Sequence, residues 1–252
     1  MTTERKVAAI TGAASGIGLG IAERLAASGH HVIALDRSPT VNEVAERLRG
    51  QGLAAEAAVV DVADEAQLKA FVADVAARHG RFDILVNNAG ISPKNAGQRN
   101  SILTMTTAQW QLCMDVNLTA AFILMREVLP HMQARQWGRI INMSSRAGRT
   151  LVETAGVHYA ATKAGLIGMT RVVASEMGKQ GITVNCIAPG RIKTPMTDQG
   201  TPEQRAALEG KIIVGRIGTP PEIASAVAFL VSEESWYITG TVLDVNGGTF
   251  MT

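Results

Sequence analysis

A glycine-rich segment near the N-terminus, Thr11 to Gly18, has the residue types of a loop that binds phosphate. In its sequence, TGAASGIG, Gly12 permits a tight turn, Gly16 lets the backbone approach a pyrophosphate, and Gly18 lets a helix pack closely on a strand. Free N–H groups at the start of that helix would face the anion. Because the spacing is GxxxGxG rather than GxGxxG, a simple tight turn explains the loop equally well on this evidence alone.

Asp36 makes nucleotide binding the favoured interpretation of this loop. It ends a short apolar run roughly 20 residues beyond the loop, where an acid can accept hydrogen bonds from the ribose of an adenosine. A carboxylate there also repels the 2′-phosphate of NADP. The variable loop positions Ala13, Ala14 and Ser15 carry no positive charge to offset that repulsion. NAD is therefore the predicted cofactor and NADP the less favoured one, with the neighbouring Arg37 as the side chain that could reverse the preference.

Tyr159 and Lys163 are spaced for proton-transfer chemistry. Residues four apart in a helix share one face. A free phenol titrates near ~10, and a neighbouring ammonium group together with an oxidised nicotinamide would favour its ionised form. The pair therefore predicts a general acid/base that operates near neutral pH. An exposed Tyr/Lys pair without a function is the alternative that the spacing leaves open.

Short runs rich in Val and Ile alternate with longer segments of helical periodicity, which indicates a βαβα order. The predicted strands are Lys6–Thr11, His31–Asp36, Ala54–Val60, Phe82–Asn87, Gly138–Ser144, Ile182–Ile187 and Thr241–Val245. The predicted amphipathic helices are Ile17–Ser28, Val41–Arg49, Glu65–His79, Ala108–Ala134, Val157–Gly178 and Pro221–Ser232. Strands such as Val32–Leu35 are apolar at consecutive positions, as in a parallel sheet covered by helices on both faces.

The predicted fold class is α/β: a doubly wound, Rossmann-like three-layer sandwich around a seven-stranded parallel sheet. Gly29, Gly80 and Gly181 stand where helices are expected to end, and Pro220-Pro221 opens the last helix. Because no Pro/Gly/Ser-rich linker and no internal repeat divides the sequence, residues 1–252 are predicted to form one domain.

Composition argues against several classes of partner. The 24 Lys and Arg nearly balance the 22 Asp and Glu, and no basic cluster occurs, so no nucleic-acid partner is expected. The longest apolar runs, Ala120–Met125 and Ala226–Val231, are far shorter than the ~20 residues of a membrane span, and no segment resembles a signal peptide. No membrane partner and a cytoplasmic location are therefore predicted. Cys113 and Cys186 lack the spacing of metal ligands, so no metal is predicted.

In their order and spacing, these motifs resemble those of the single-domain short-chain dehydrogenases/reductases, and the resemblance covers nearly the whole chain. The residues that carry it are Thr11–Gly18, Asp36, Asp61-Val62, Asn87-Asn88-Ala89-Gly90, Asn117, Ser145, Tyr159 with Lys163, and Pro189-Gly190 with Thr194. The resemblance implies hydride transfer between a nicotinamide and the carbon of a small-molecule secondary alcohol or ketone.

The resemblance also implies a role for each matching residue. Tyr159 is expected to be the general acid/base, and Lys163 to bind the nicotinamide ribose and lower the proton affinity of the tyrosine. Ser145 is expected to hold the substrate oxygen, and Asn117 to anchor a water relay to Lys163. The expected cofactor contacts are Gly12, Ser15, Gly16, Ile17, Gly18, Asp36, Arg37, Asp61, Val62, Asn88, Ala89, Gly90, Tyr159, Lys163, Pro189, Gly190, Ile192 and Thr194.

Three functions stay open within this resemblance. The leading one is an NAD-dependent alcohol dehydrogenase or ketoreductase. The second is a 3-oxoacyl-[acyl-carrier-protein] or acyl-CoA reductase, although Gln136 and Gln180 stand where such enzymes carry basic docking residues, with Arg135 and Lys179 one position away. The third is a catalytically inactive NAD-binding regulator, which the four filled catalytic positions disfavour.

Two long unpatterned stretches, Ile91–Thr106 and Pro195–Ile213, are expected to wall the substrate pocket, because each follows a strand at the edge where ligands bind. Polar residues of the first stretch predict a partly polar mouth that suits a small hydroxylated or carboxylated substrate: Lys94, Asn95, Gln98, Arg99 and Asn100. Arg146, Arg149 and His158 are further candidates for substrate contact, although solvated loop charges are the simpler explanation for the two arginines.

Apolar residues on two predicted helices indicate assembly. Those expected to be exposed on Ala108–Ala134 and Val157–Gly178 are Phe122, Ile123, Met125, Leu166, Ile167 and Met169. In the family that the chain resembles, such helices pair across a two-fold axis. A homotetramer is therefore predicted ahead of a homodimer.

Overall fold

The computed structural model describes residues 5–95, 98–195, 197 and 209–251. Its main sheet has seven parallel strands in the order β3-β2-β1-β4-β5-β6-β7. They are β1 Val7–Thr11, β2 His31–Asp36, β3 Ala55–Val59, β4 Ile84–Asn87, β5 Gly138–Met143, β6 Ile182–Pro189 and β7 Val242–Val245. The strand order reverses between β1 and β4, which confirms the predicted doubly wound α/β fold.

Helices lie on both faces of this sheet. The described α-helices are α1 Gly16–Ala27, α2 Val41–Gly50, α3 Glu65–His79, α4 Thr107–Met114, α5 Ala120–Arg135, α6 Val157–Met177 and α7 Pro220–Leu230. None of these helices combines the length and the apolarity that crossing a membrane requires.

Alternate residues of each central strand face opposite layers. In β1, Ala8 and Ile10 belong to the core packed against α1, α2 and α7, whereas Val7 and Ala9 belong to the core packed against α3, α5 and α6. All four side chains are buried. The consecutive apolar positions in the sequence therefore reflect a sheet that is covered on both faces.

Helix ends follow the predicted capping residues. Gly80 ends α3 with φ +64°, and Gly181 precedes β6 with φ +73°, a backbone region that glycine adopts without strain. At the start of α7, Thr219 and Glu222 form a capping box in front of the Pro220 turn. Most predicted element boundaries lie within about two residues of the observed ones, the usual uncertainty of helix and strand ends.

The predicted helix Ala108–Ala134 is confirmed, but it contains a π-helical turn that the sequence did not predict. The structure divides it into α4, a π-helical turn at Asp115–Thr119, and α5. Asn117 lies in this turn, and its side chain accepts a hydrogen bond from Ile91 N at 2.8 Å and donates one to Ile91 O at 2.9 Å. Such π turns interrupt helices where a residue meets a tertiary contact, and this contact is one that helical periodicity does not reveal.

The two loops predicted to wall the substrate pocket are only partly as expected. Ile91–Thr106 contains a short hairpin in which Lys94–Asn95 pair with Gln98–Arg99. Asn100, predicted to be part of a polar mouth, is buried. Of the second stretch, Pro195–Ile213, residues 196 and 198–208 lie outside the described residues.

The prediction that a set of apolar side chains faces a partner is wrong for most of its members. Ile123, Met125, Leu166 and Ile167 are buried within the core of the chain itself. Phe122 is exposed as predicted. Helical spacing identifies an apolar stripe but not whether the sheet of the same chain already covers it.

Candidate active site

A cavity of about 390 Å³ opens at the carboxyl ends of the central strands. This edge, where the strand order reverses, is the position at which doubly wound sheets bind ligands. The predicted cofactor contacts that line the cavity are Gly12, Ser15, Gly16, Ile17, Asp36, Arg37, Asp61, Val62, Asn88, Ala89, Gly90, Tyr159, Lys163, Pro189, Gly190, Ile192 and Thr194. Ser145 lines the cavity as well. The structure thus brings these residues together from six strand ends and α6.

The glycine-rich loop is shaped to receive an anion. Gly12 and Gly16 have positive φ angles of +68° and +57°, which other residues adopt only with strain. At the N-cap of α1, the described side chain of Ser15 makes no capping hydrogen bond, and the first turn carries no acidic residue. The first-turn N–H groups and the helix dipole therefore favour a bound phosphate. The cradle fits the pyrophosphate of a dinucleotide.

Gly18, unlike the other predicted contacts, is not among the described residues that line the cavity. A Cβ atom at this position would lie 2.1 Å from Gly12 O and 2.5 Å from Asn88 Nδ2. Glycine is therefore required so that α1 can pack beneath the loop. Gly18 shapes the cradle by allowing this packing.

Thr11 is a structural part of the site that was not among the predicted contacts. Its Oγ1 accepts hydrogen bonds from the backbone N–H groups of Asn88 and Ala89, both at 2.9 Å. In return, Asn88 Nδ2 donates to Thr11 O at 2.8 Å. These bonds join the end of β1 to the end of β4 at the reversal of strand order. The threonine directly before Gly12 was the available sequence signal.

Asp36 lies at the rim of the cavity with its carboxylate held in place by the backbone. Its Oδ2 accepts from Ala14 N at 3.1 Å, and its Oδ1 accepts from Ser38 N at 2.9 Å. Because a carboxylate offers about four lone-pair sites, both oxygens can still accept hydrogen bonds from a pair of hydroxyls. Arg37 lines the same cavity but is otherwise exposed to solvent.

Tyr159, Ser145 and Lys163 form a compact group at the inner end of the cavity. Ser145 is the second residue after β5, and the other two residues lie about one turn apart on α6. The side chain of Ser145 interacts with the phenol of Tyr159 and lowers its pKa in part. The ammonium of Lys163 lies 5.6 Å from the centre of the Tyr159 ring and donates to Met143 O at 2.6 Å. The predicted pair is therefore part of the cavity wall.

Burial governs the protonation of this group. It raises the pKa of Tyr159 above that of a free phenol, although the interaction with Ser145 lowers it in part. Burial also lowers the pKa of Lys163 to about 8. The chain by itself thus keeps the proton on the phenol, whereas the expected preference for the phenolate involved an oxidised nicotinamide as well as the lysine. A further positive charge in the cavity is needed to reverse this direction.

Asn117 lies beneath the cavity and is not among the described residues that line it. Besides its bonds to Ile91, its Nδ2 donates to Thr162 Oγ1 at 3.2 Å. A Cβ atom at residue 90 would lie 3.4 Å from both Asn117 Oδ1 and Lys163 Nζ. Gly90 therefore stands between the amide and the ammonium, and its missing side chain leaves the space through which the two could be linked.

The additional substrate-contact candidates lie away from the described cavity wall. Arg149 forms an ion pair with Asp244 at 3.0 Å, and both side chains are mostly buried. Arg146 reaches toward the backbone of the C-terminal segment. His158 is fully buried, and its Nδ1 accepts a hydrogen bond from Tyr159 N at 2.8 Å. Arg149 and His158 are therefore bonded to other residues of the chain. This arrangement differs both from a solvated loop charge and from a side chain that faces the substrate.

Some lining residues were not predicted. They are Val60, Val116, Met143 and Ser144. Most of them directly adjoin a predicted motif residue, so the motifs could have indicated them. Ile91, Pro195 and Thr197 also line the cavity, and they belong to the two stretches that were expected to wall the substrate pocket. Thr197 Oγ1 accepts a hydrogen bond from Thr194 N at 3.0 Å.

Comparisons with known proteins agree with this geometry. Residues 12–249 match the family model described as enoyl-(acyl carrier protein) reductase. The chain is 42% identical to the 3-oxoacyl-[acyl-carrier-protein] reductase FabG of Vibrio cholerae, with both sequences covered completely. Its structure resembles that of a 3-oxoacyl-[acyl-carrier protein] reductase from Brucella melitensis with bound NAD, at a TM-score of 0.92 and 38% identity over 100% of this chain and 93% of that one.

A second solved structure, an actinorhodin polyketide ketoreductase variant with NADPH, gives a TM-score of 0.91 and 33% identity over 97% of both chains. These similarities extend over the glycine-rich loop, the strand ends and the Tyr/Lys helix alike. The chain therefore belongs to the short-chain dehydrogenase/reductase family, and it is an oxidoreductase that acts on a keto or hydroxyl group with a pyridine nucleotide.

Proposed function

We propose that this chain transfers hydride between NAD(H) and a secondary alcohol or ketone, with Tyr159 as the general acid/base. The observation that carries the proposal is the group in the cavity wall in which Tyr159 interacts with Ser145 and its ring lies 5.6 Å from the ammonium of Lys163. A bound nicotinamide supplies or accepts the hydride at the inner end of the cavity. Everything else in the reaction is positioning and proton transfer by residues of the chain.

In the direction of ketone reduction, Tyr159 donates its proton to the carbonyl oxygen as the carbonyl carbon becomes a carbinol. Ser145 holds that oxygen by a hydrogen bond, so that the charge that develops on it is stabilised. The raised pKa of Tyr159 supports this direction, because the phenol carries a proton at neutral pH. Lys163 supplies the nearby positive charge that eases loss of the proton and a donor for the nicotinamide ribose.

The preference for NAD over NADP rests on Asp36. Its carboxylate is fixed at the cavity rim by Ala14 N and Ser38 N, so it cannot easily turn away from an added phosphate. Both oxygens retain lone pairs for the two ribose hydroxyls of NAD. Arg37 is exposed at the same rim and is the side chain to test as a possible source of NADP tolerance.

The substrate proposed from the polar loop residues needs revision. Asn100 is buried and Arg149 is paired with Asp244, so two of the polar groups expected at the mouth have other surroundings. Large apolar side chains are exposed instead on the segments that follow β4 and β5: Ile102, Leu103 and Leu151. These three side chains are not among the described residues that line the cavity, and we propose that they flank its mouth. An uncharged ketone with an apolar substituent would suit such a mouth better than a carboxylated one.

These apolar side chains favour a second candidate substrate, a 3-oxoacyl thioester. A docking patch for an acyl carrier, displaced by one residue from Gln136 and Gln180 to Arg135 and Lys179, is also compatible with the structure. Arg135 and Lys179 are both exposed, and the helix ends that carry them meet, since a Cβ atom at Gly181 would lie 2.2 Å from Gln136 O. The similarity to 3-oxoacyl-[acyl-carrier-protein] reductases supports the same candidate.

A coenzyme-oxidation screen tests the proposal. Cyclic ketones, diketones, sugar and hydroxy-acid ketones and an acetoacetyl thioester are each assayed with NADH and with NADPH. Turnover of any of them with NADH supports hydride transfer, and a tenfold or greater advantage of the thioester in kcat/KM selects the second candidate. Tight NADH binding without turnover on the whole panel would instead favour the inactive regulator.

We also propose a cytoplasmic homotetramer in which residues 1–252 form one nucleotide-binding domain. Two separate sets of exposed apolar side chains support the tetramer, because such assemblies need more than one interface. The first set lies on α4, α5 and α6 and consists of Leu112, Phe122, Val157 and Val172. The second set lies toward the C-terminus and consists of Phe229, Trp236, Tyr237 and Met251. Light scattering that gives the 26.6 kDa of one chain at micromolar concentration would contradict the proposal.

The free, buried thiols of Cys113 and Cys186 support a reducing compartment.

A further inference from the structure

Two histidines and a glutamate come together at the amino-terminal edge of the sheet, and we propose that they bind a divalent transition-metal ion of the zinc type. His31 is the first residue of β2, Glu56 is the second residue of β3, and His79 is the last residue of α3. One potential ligand atom from each lies within 4.8 Å of the others, and no other described trio of potential ligands is so close. The cavity opens at the opposite, carboxyl edge of the sheet.

The spacing of the donor atoms is close to what a small ion requires. Ligands that bind zinc tetrahedrally at ~2.1 Å lie about 3.4 Å from one another. Glu56 Oε1 lies 3.3 Å from His79 Nε2 and 2.8 Å from His31 Nε2. The two imidazole rings are inclined by 56° with their centres 4.6 Å apart, so they are not stacked face to face. The 2.8 Å contact would have to widen slightly, and the ligand atoms of the two histidines already lie within 4.8 Å of each other.

The donor set indicates which class of ion would bind. Two imidazole nitrogens with one carboxylate suit zinc and related transition metals, whereas calcium and magnesium prefer a shell of oxygens. The side chains of His31, Glu56 and His79 are 24%, 30% and 16% exposed. An ion can therefore enter from solvent and keep water at its remaining position.

Arg78 is the competitor for this site. Its NH1 donates to Glu56 Oε2 and lies 3.2 Å from His79 Nε2, while its other end pairs with Asp74 at 2.9 Å. In the ion-free cluster, the guanidinium neutralises the glutamate. A metal ion on Glu56 Oε1 leaves Oε2 to Arg78, but the arginine has to withdraw from His79. Because the Arg78 side chain is substantially exposed and its ion pair with Asp74 can be kept, only a small movement of Arg78 is needed.

A bound ion would cross-link three secondary-structure elements. β3 is the edge strand of the sheet, and it would be linked through one ion to β2 and to the end of α3. Since the unfolded chain does not present these ligands together, binding stabilises the fold. The catalytic group is at the other edge, so the expected effect is on thermal stability and not on turnover.

Zinc titration of the untagged, full-length protein tests the inference, with competition against a chromophoric chelator and with Co²⁺ absorption as a second readout. One ion per chain is expected, together with a rise in Tm. His31→Ala and His79→Ala should each weaken binding by ~100-fold and abolish that rise. Arg78→Gln should tighten binding, because it removes the competitor.

His131→Ala is the matched control, since this histidine lies on α5 outside the cluster and its loss should leave zinc affinity unchanged. His79→Gln, which keeps a polar side chain of similar size, replaces the alanine variant if the latter does not fold. Failure to bind zinc with a Kd below about 100 µM, or affinity that survives both histidine substitutions, would overturn the inference.

Discussion

Replacement of Asp36 by asparagine isolates the charge that should decide the choice of cofactor. The amide has the shape of the carboxylate and keeps an oxygen for Ala14 N or Ser38 N, which Asp36 contacts at 3.1 and 2.9 Å. The geometry of the rim is therefore largely preserved. What the variant loses is the negative charge that would face the 2′-phosphate of NADP.

The size of the effect follows from charge and burial. Two unit charges 4 Å apart interact by about 1 kcal/mol in water and by about 4 kcal/mol at an effective dielectric constant of 20. Asp36 is half-buried, so its repulsion of a phosphate falls between these limits, and a lost ribose hydrogen bond adds about 1 kcal/mol. The wild-type preference for NADH should be about 2 to 4 kcal/mol, which is about 30- to 700-fold in kcat/KM.

The assay is the kcat/KM for NADH and for NADPH with one ketone at fixed ionic strength. Asp36→Asn should lower the ratio by about 30-fold, mainly by improving the use of NADPH. Arg37→Gln is the matched control, because it removes the neighbouring cation and should not reduce the preference for NADH. Equal use of the two coenzymes by the wild type, or an unchanged ratio in Asp36→Asn, would refute the reasoning.

Three further predictions concern the catalytic group and the cradle. Tyr159→Phe should lower kcat by about 100-fold or more while NADH binding, measured by fluorescence titration, stays nearly intact, because only the proton donor is lost. The kcat/KM for ketone reduction should fall as pH rises through about 8, where the free enzyme loses the Lys163 ammonium, and a pH profile checks this. Gly18→Ala should weaken NADH binding and lower Tm, since the added Cβ would lie 2.1 Å from Gly12 O; calorimetry and thermal melts measure both.

Each of these has an outcome that contradicts it. If the Tyr159→Phe enzyme kept a tenth of the wild-type activity, Tyr159 would not be the proton donor. A kcat/KM that is flat between about pH 7 and pH 10 would show that the charge of Lys163 is not needed. The control for Gly18→Ala is Gly50→Ala at the end of α2, where no described atom lies within 4 Å of the added Cβ and φ is not positive. Comparable effects on NADH binding at both positions would contradict a specific role for the cradle.

The order of elements and most of the candidate site were predictable from sequence, because they depend on local properties. Apolar residues at consecutive positions in β1 and β2 indicate strands buried on both faces, whichever helices cover them. Parallel strands place their carboxyl ends at one edge, so residues that follow different strands, such as Gly12, Asn88 and Ser145, had to converge there.

Other features depend on contacts between residues far apart in the chain, and these only the tertiary structure decided. The π-helical turn at Asn117 coincides with the bonds of this residue to the backbone of Ile91, which no periodicity within the helix records. The raised pKa of Tyr159 in the chain alone comes from burial, which its sequence neighbourhood does not reveal. Both depend on the surroundings that folding creates.

The approach of His31 to His79 shows the same division between sequence and structure. The residue types were visible in the sequence, but 48 positions separate the two histidines, and no motif spacing connects them. They meet because α3 returns the chain to the amino-terminal edge of the sheet, beside the start of β2. Sequence determined which side chains each element presents. Only packing of the helices on the sheet determined which of those side chains meet, because such contacts form between surfaces and not between neighbours in the chain.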